Sequence, residues 1–414
     1  MKLGLERIGM YVPHTALDLR DLAEARGVDP KKYLRGIGQE VMAVPAPDED
    51  IVTMAANAAQ DALKGIDTST IGTVIFATES GIDQSKAAAI YVHDLLGLPE
   101  NCRTVEMKQA CCSSTSALHF AMGAVALHPE KKVLIVASDV ARYGLGSAGE
   151  PTQGAGAIAL VVSASPDLLT VDTEVGYFTQ DVMDFWRPNY RDEALVDGKY
   201  SIKVYMHALE KAWEDYQSLK GARLEEFDHL CYHLPFTRMA LKAHLHLARH
   251  DNAQLESSAL QKQVDPSLGF NRITGNAYTA SLYMGLCGLL DQQDLDLANK
   301  RIGLFSYGSG CMGAFFGATV SESYREALAG NEWQKMFADR RMLSIEEYEA
   351  FYNHELPTDG SRYRTDHHQT GKYRLVGMNE HRREYERVEA VKAVAAGGGG
   401  GGGGMQAYAA SPAL

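Results

Sequence analysis

TVIFATESGIDQSKAAAIYVHDLLGLPENCRTVEMKQACCSSTSALHFAMGAVALHPEKKVLIVAS, residues 73–138, decides the fold. Three apolar runs of strand length, TVIFAT (73–78), RTVEM (103–107) and VLIVAS (133–138), are separated by stretches of helical period at 87–95 and 113–127. That alternation predicts an α/β architecture with largely buried strands. Working outward, GAGAIALVVS (154–163) adds a strand and LLTVDTEVGYF (168–178) begins a second series. Helical period returns at 201–219, 236–250 and 277–290, and two strand-like runs follow, RIGLFSYG (301–308) and GAFFGATV (313–320). The chain thus divides into two similar α/β halves, 1–166 and 167–388, and a tail, 389–414, that holds the glycine run Gly397–Gly404. A run of that composition has no core to bury and reads as a flexible linker.

At 414 residues the chain exceeds the usual size of one hydrophobic core. No apolar run reaches the roughly 18 residues expected of a membrane span, and MKLGLERIGMYVPH lacks the long apolar segment of a signal peptide, so a cytoplasmic location without membrane partners is expected. The six cysteines, Cys102, Cys111, Cys112, Cys231, Cys287 and Cys311, contain no CxxC pair and read as free thiols. A net charge of −13 speaks against nucleic acid, whose phosphates need clustered Lys and Arg. Any anionic ligand must therefore find a local basic patch.

Four segments carry chemistry. In EMKQACCSSTSALHF (106–120) a strand runs into a helix start with Ser113, Ser114 and Thr115 as N-cap candidates. A cysteine there meets the positive end of the helix dipole, which in activated cases lowers a thiol pKa to roughly 3.5–7.5. In the segment around TVIFATESG, Glu79 ends an apolar strand beside a Gly-containing turn, where an apolar pocket would raise its pKa into the range useful for proton transfer. In HLCYHLPFTRMALKAH (229–244), His233 ends a strand and Pro235 opens a helix, on which Arg238 and Lys242 stand four apart, a spacing suited to phosphates. His246 and His250 share that spacing, but without a carboxylate partner at metal spacing they read as surface residues, and no metal is expected. GSGCMG (308–313) matches a dinucleotide-binding pattern, yet AFFGATV after it reads as a strand. A hairpin bringing backbone N–H groups to an acyl carbonyl fits better.

Together these segments resemble the 3-hydroxy-3-methylglutaryl-CoA synthases, most closely the bacterial mevalonate-pathway type, over roughly residues 1 to 388. The resemblance rests on TESGIDQSKA (78–87), QACCSST (109–115), ARYG and GEPTQGAGA within 141–157, DFWRPNY (184–190), VDGKYS (196–201), YHLPFTRM (232–239), GNAYTASLY (275–283) and LFSYGSG (304–310). It implies a thiolase-like five-layered αβαβα fold, a homodimer, and condensation of acetyl-CoA with acetoacetyl-CoA, with CoA thioesters as substrates and no cofactor. It also implies that Cys111 is acetylated, that Glu79 acts as acid and base, and that His233 seats the acceptor. Asn276, Ser309, Asp139, Asp184, Tyr143 and Ser201 fall at matching substrate, oxyanion and supporting positions, while Arg238 and Lys242 would face the CoA phosphates. Two departures stand out: Cys112 replaces the aromatic residue that usually follows the nucleophile, and Arg238 replaces lysine. A polyketide β-branching synthase, acting on carrier-bound substrates, is the alternative within the family. A nicotinamide oxidoreductase built on GSGCMG and a non-catalytic acyl-CoA binder are the alternatives outside it.

Overall fold

The computed structural model describes residues 1–368 and 371–388, so the tail expected over 389–414 lies outside the described residues. Nine strands form the central sheet: β1 (Gly4–Tyr11), β2 (Ile71–Ala77), β3 (Arg103–Met107), β4 (Lys132–Val140), β5 (Ala155–Ser163), β6 (Leu169–Thr179), β7 (His229–Tyr232), β8 (Arg301–Gly308) and β9 (Met312–Val320). Their order is β7-β8-β9-β6-β1-β5-β4-β2-β3. The two halves repeat one pattern. The first strand of each half pairs antiparallel with the last, β1 with β5 and β6 with β9. That last strand pairs antiparallel with the one before it, and the next neighbour outward is parallel. The half-sheets meet where Gly4 pairs with Thr170 and Leu5 with Leu169.

Alternate residues of each strand enter different cores, as a side-chain period of two requires. Phe76, Leu134 and Val136 face outward onto the helices α1 (Ile51–Ala62) and α2 (Ala88–Leu95). Their neighbours Ile75, Ile135 and Ala137 face inward onto α3 (Ser113–Leu127) and α6 (Ser281–Leu290), which share one core with Leu304 and Phe316 of the other half-sheet. On the far side Leu230, Phe305 and Phe315 pack against α4 (Gly198–Lys220) and α5 (Met239–His250). Helices, half-sheet, helices, half-sheet, helices is the five-layered arrangement.

Two expectations are corrected and one is met. The stretch Ala110–Leu127 is by length and composition apolar enough to cross a bilayer, contrary to the sequence reading, but 56% of it is buried, as befits a middle-layer helix. GSGCMG is, as expected, the turn of a hairpin in which Gly308 pairs with Met312, and a strand follows it where the dinucleotide alternative needs a helix. Pro235 does not open α5, which starts at Met239 with Arg238 as N-cap.

Candidate active site

The middle-layer helix α3 owes its position to the turn before it. Ala110 sits at φ 44°, in the left-handed region that a residue with a Cβ enters only at a cost. The Ser113 hydroxyl holds the turn closed, accepting from the Gln109 N–H at 2.6 Å and donating to the Ala110 carbonyl at 2.6 Å. Ser113, Ser114 and Thr115 are therefore not caps: the N-cap is Cys112, with no side-chain cap bond, and Ser114 and Thr115 bond to Thr279 and Tyr283 instead. The two thiols diverge. Cys112 is fully buried in the central core, against Gly308, where a Cβ would lie 2.8 Å from that of Cys112 and 2.4 Å from the Gln109 carbonyl oxygen. Only glycine allows the hairpin turn this close to the nucleophile turn.

Cys111 faces the other way and donates from Sγ to Glu79 Oε1 at 3.0 Å. Glu79 lies just beyond the end of β2, and Asp139, on neighbouring β4, fastens the turn around it. One Asp139 oxygen accepts from Thr78 Oγ1 at 2.7 Å and from the Glu79 and Ser80 N–H groups at 2.9 Å each; the other accepts from the Thr279 N–H at 3.1 Å. Burial, and after it the charge of Asp139, push the Glu79 carboxyl up to about 8. The thiol is displaced upward too, by burial first and then by Glu79. This corrects the expectation of a dipole-lowered thiol. Cys111 precedes the N-cap and shares a dry site with a carboxylate, and desolvation and like charge outweigh the dipole. The resting pair is a thiol hydrogen-bonded to its base.

An aromatic box encloses the thiol. Cys111 clusters with Ala141, Tyr143 and Tyr278, packed against Phe185 and Ala194. The Tyr143, Tyr278 and Phe185 rings meet edge to face with centroids 5.9–6.4 Å apart. Burial raises the Tyr143 phenol, against hydrogen bonding from Tyr278 and Asn276. Asn276 Oδ1 accepts from the Tyr278 N–H and the Ser281 hydroxyl, both at 2.9 Å, which fixes its amide toward the box.

His233 continues β7 one residue past the pair Tyr232–Phe305, beside Ser306 of β8, whose hydroxyl lies close to Cys112. Burial pushes its imidazole down to about 3, so it is neutral at physiological pH. Its Nδ1 is buried and has no hydrogen-bond partner among the described residues. Ser309 is at the tip of the hairpin turn, and its carbonyl accepts from Gln109 Nε2 at 3.4 Å, tying the hairpin to the nucleophile turn. Asp184 braces the same hairpin, accepting from the Gly310 N–H at 2.9 Å, Tyr307 Oη at 2.6 Å and Ser201 Oγ at 3.0 Å. The Ser201 hydroxyl is thus directed at Asp184. Arg238 and Lys242 are exposed at the start of α5.

Sequence reasoning left several residues unassigned. Arg187, inside the quoted DFWRPNY, donates to the Glu79 carbonyl oxygen, and its charge opposes the rise of the Glu79 pKa. Thr279 and Tyr278 were visible only as parts of a motif. Exposed Lys31, Lys32 and Arg35 precede Ile37, whose carbonyl accepts from the Arg238 N–H at 2.9 Å, so a second basic segment joins Arg238 and Lys242. His246 Nε2 lies 2.7 Å from Glu210, and His250 Nε2 lies 3.2 Å from Glu214, both on α4. Among the described residues, no three His, Cys, Asp or Glu side chains are grouped to hold a metal.

The family model for the N-terminal part of hydroxymethylglutaryl-coenzyme A synthase matches residues 1–167, and that for its C-terminal part matches residues 170–262 and 251–388. The hydroxymethylglutaryl-CoA synthase of Enterococcus faecalis is 41% identical over 385 residues, covering 93% of this chain and all of that protein. The polyketide biosynthesis 3-hydroxy-3-methylglutaryl-ACP synthase PksG of Bacillus subtilis is 34% identical over 371 residues, covering 84% of this chain and 87% of the relative. A crystal structure of an HMG-CoA synthase complexed with CoA superposes with a TM-score of 0.89 at 40% identity, covering 94% of this chain and all of that one.

Proposed function

The chain belongs to the hydroxymethylglutaryl-CoA synthase family, and from that premise we propose that it condenses acetyl-CoA with acetoacetyl-CoA and water to give 3-hydroxy-3-methylglutaryl-CoA and CoA. The observation that carries the reading is the 3.0 Å hydrogen bond from the Cys111 thiol to Glu79 inside the aromatic box. Glu79 takes the thiol proton as sulfur attacks the acetyl thioester carbonyl, and passes it to the CoA sulfur as the C–S bond breaks, so that CoA leaves as the thiol and Glu79 is a carboxylate again. The carboxylate then removes a proton from the methyl group of the bound acetyl. The resulting enolate attacks the ketone of the acceptor, whose oxygen Glu79 protonates. Water finally hydrolyses the thioester to Cys111.

The N–H groups of Cys111 and Ser309 stabilise the oxyanion. Neutral His233, with an unpartnered ring nitrogen, seats the acceptor thioester by a hydrogen bond. Asn276 and Tyr143 line the acyl pocket, and Asp139 and Asp184, the latter buttressed by Ser201, hold the Glu79 and Ser309 turns. Arg238 and Lys242, with Lys31, Lys32 and Arg35, bind the CoA phosphates against the net charge of −13. That patch, and the higher identity to the E. faecalis synthase, favour CoA-borne substrates over the carrier-bound ones of polyketide β-branching.

The chain requires no cofactor in this reading. A division into halves at 166/167 follows the repeated strand order. Exposed Val105 on the edge strand β3, with exposed Phe120 and Leu127 on α3, suits a second copy of the chain, giving a homodimer. The free cysteines suit the reducing cytoplasm. Mass spectrometry of protein treated with acetyl-CoA, followed by addition of acetoacetyl-CoA, tests the proposal. An acetyl group on Cys111 that is consumed with release of 3-hydroxy-3-methylglutaryl-CoA supports it, and a chain that is never acetylated refutes it.

A further inference from the structure

Tyr143 lies three residues past the end of β4, where no sheet ladder fixes the backbone. Both of its main-chain polar groups are instead held by side chains. Its N–H donates to Gln153 Oε1 at 2.7 Å, and its carbonyl accepts from the Tyr352 hydroxyl at 2.6 Å. Gln153 is itself tethered, donating from Nε2 to Tyr348 Oη at 2.9 Å, and Tyr348 donates to the buried Glu150 at 3.1 Å. Tyr348 and Tyr352 stand four apart on α7 (Ile345–Tyr352), a short helix opened by a capping box between Ser344 and Glu347. Tyr352 is also gripped from below, because Arg142 donates to its carbonyl at 2.7 Å and lies over its ring at 4.3 Å. A helix some 200 residues along the chain therefore determines where the Tyr143 ring sits in the thiol box.

We propose that Tyr352 is a positioning residue for the condensation: with Gln153 and Tyr348 it fixes the backbone of Tyr143, and so the Tyr143 hydroxyl, beside Cys111. The inference rests on the reading above that Cys111 is acylated and that Tyr143 lines the acyl pocket. The Tyr352 hydroxyl has one hydrogen and two acceptors, the Tyr143 carbonyl at 2.6 Å and Glu193 Oε1 at 2.8 Å. Glu193 therefore competes with the tether. A glutamine there offers an amide donor to the Tyr352 oxygen and leaves the hydroxyl hydrogen to Tyr143.

The test is a double-mutant cycle on the rate of Cys111 acetylation by acetyl-CoA, followed by mass spectrometry so that slow rates stay measurable. Tyr352→Phe is expected to slow acetylation about 10- to 100-fold, the range for a misplaced catalytic-site group, with KM for acetyl-CoA unchanged. Glu193→Gln should stay within about twofold of the parent, since it preserves the tether. In a Tyr143→Phe background, which lacks the hydroxyl being positioned, Tyr352→Phe should add nothing. Equal losses in both backgrounds, or a lowered melting temperature with an unchanged rate, would overturn the proposal. Should Tyr352→Phe fail to fold, Tyr348→Phe, which loosens the Gln153 side of the tether, replaces it in the same cycle. A parent protein that does not acetylate at all would instead fail the functional reading.

Discussion

The thiol of Cys111 donates to Glu79 Oε1 at 3.0 Å, and the adjacent Cys112 turns into the central core. Only one of two neighbouring sulfurs thus has a base. Cys111→Ser should abolish acetyl labelling, whereas Cys112→Ser should keep it, because the Cys112 thiol, pushed up to about 11 by burial, stays protonated and enclosed. Peptide mapping after exposure to acetyl-CoA checks both, and label on the Cys112 variant at position 111 is the expected outcome.

Glu79 is asked to move protons both to form the acyl-enzyme and to make the carbon–carbon bond. Glu79→Gln should still accumulate label over long times, because solvent can take the thiol proton slowly. Condensation of that preformed acyl-enzyme with acetoacetyl-CoA should fall about 10²–10⁴-fold, the usual contribution of a positioned acid or base. Single-turnover measurement of the second half-reaction makes the comparison. A variant that condenses at the parent rate would move the base elsewhere.

The same carboxyl sets a pH dependence. Glu79 binds its proton more tightly folded, at about 8, than unfolded, near 4.5, so unfolding releases that proton between these values. The stability it contributes is complete below about 4.5 and is lost as pH rises through about 8, at up to about 1.4 kcal/mol per pH unit. Buried Glu49, also pushed up to about 8, adds a slope of the same sign. Denaturant unfolding at pH 5.5 and 8.5 should therefore show a parent that weakens with rising pH and a Glu79→Gln variant that weakens less. The acetylation rate should run the opposite way, rising through about 8 as the carboxylate becomes free to accept the thiol proton.

Asp139 holds the Glu79 turn with five hydrogen bonds of 2.5–3.1 Å, from the Thr78 and Thr279 hydroxyls and from the Glu79, Ser80 and Thr279 N–H groups. Every one of those partners is a donor, so neither orientation of an asparagine amide satisfies them. Asp139→Asn should cost about 1–3 kcal/mol in stability for the opposed buried donor, and should release Glu79 from the thiol. Thermal unfolding and acetyl labelling together check it: a variant as stable as the parent would mean that the turn is held by other means.

The layers were legible in the sequence because buried strands and helices carry their periods openly: 73–78, 103–107, 133–138, 154–163, 301–308 and 313–320 each match a strand to within two residues at either end. Glu79 was legible as a strand-end carboxylate and Cys111 as a residue before a helix. The direction of the thiol pKa was not, since it depends on a carboxylate 32 positions away in sequence and on burial between layers. The capping role assigned to Ser113–Thr115 failed for a similar reason: hydroxyls near a helix start can bond forward, back or across, and here Ser113 bonds back to Gln109 and Ala110 while Ser114 reaches Thr279. First strand β1 and helix α1 went unread, as did α7, whose contribution depends on tertiary contacts with residues 143 and 153.

The basic segment gives the last prediction. Arg238 and Lys242 are exposed and four apart, and the Arg238 backbone is tied to Ile37, so Lys31, Lys32 and Arg35 come with them. None of these charges touches the thiol, so their contribution is to ground-state and transition-state binding alike, which moves KM and leaves kcat. Arg238→Ala and Lys242→Ala should each raise KM for acetyl-CoA about tenfold, the loss expected of one charge-assisted contact of roughly 1.5 kcal/mol, and the effect should shrink as salt rises toward 1 M. Acetyl-pantetheine, which carries the thioester without the nucleotide phosphates, separates this from a general loss of the site. Its turnover should be the same in the parent and in both variants, and a fall there would mean that the patch shapes the pocket and is not simply holding phosphates.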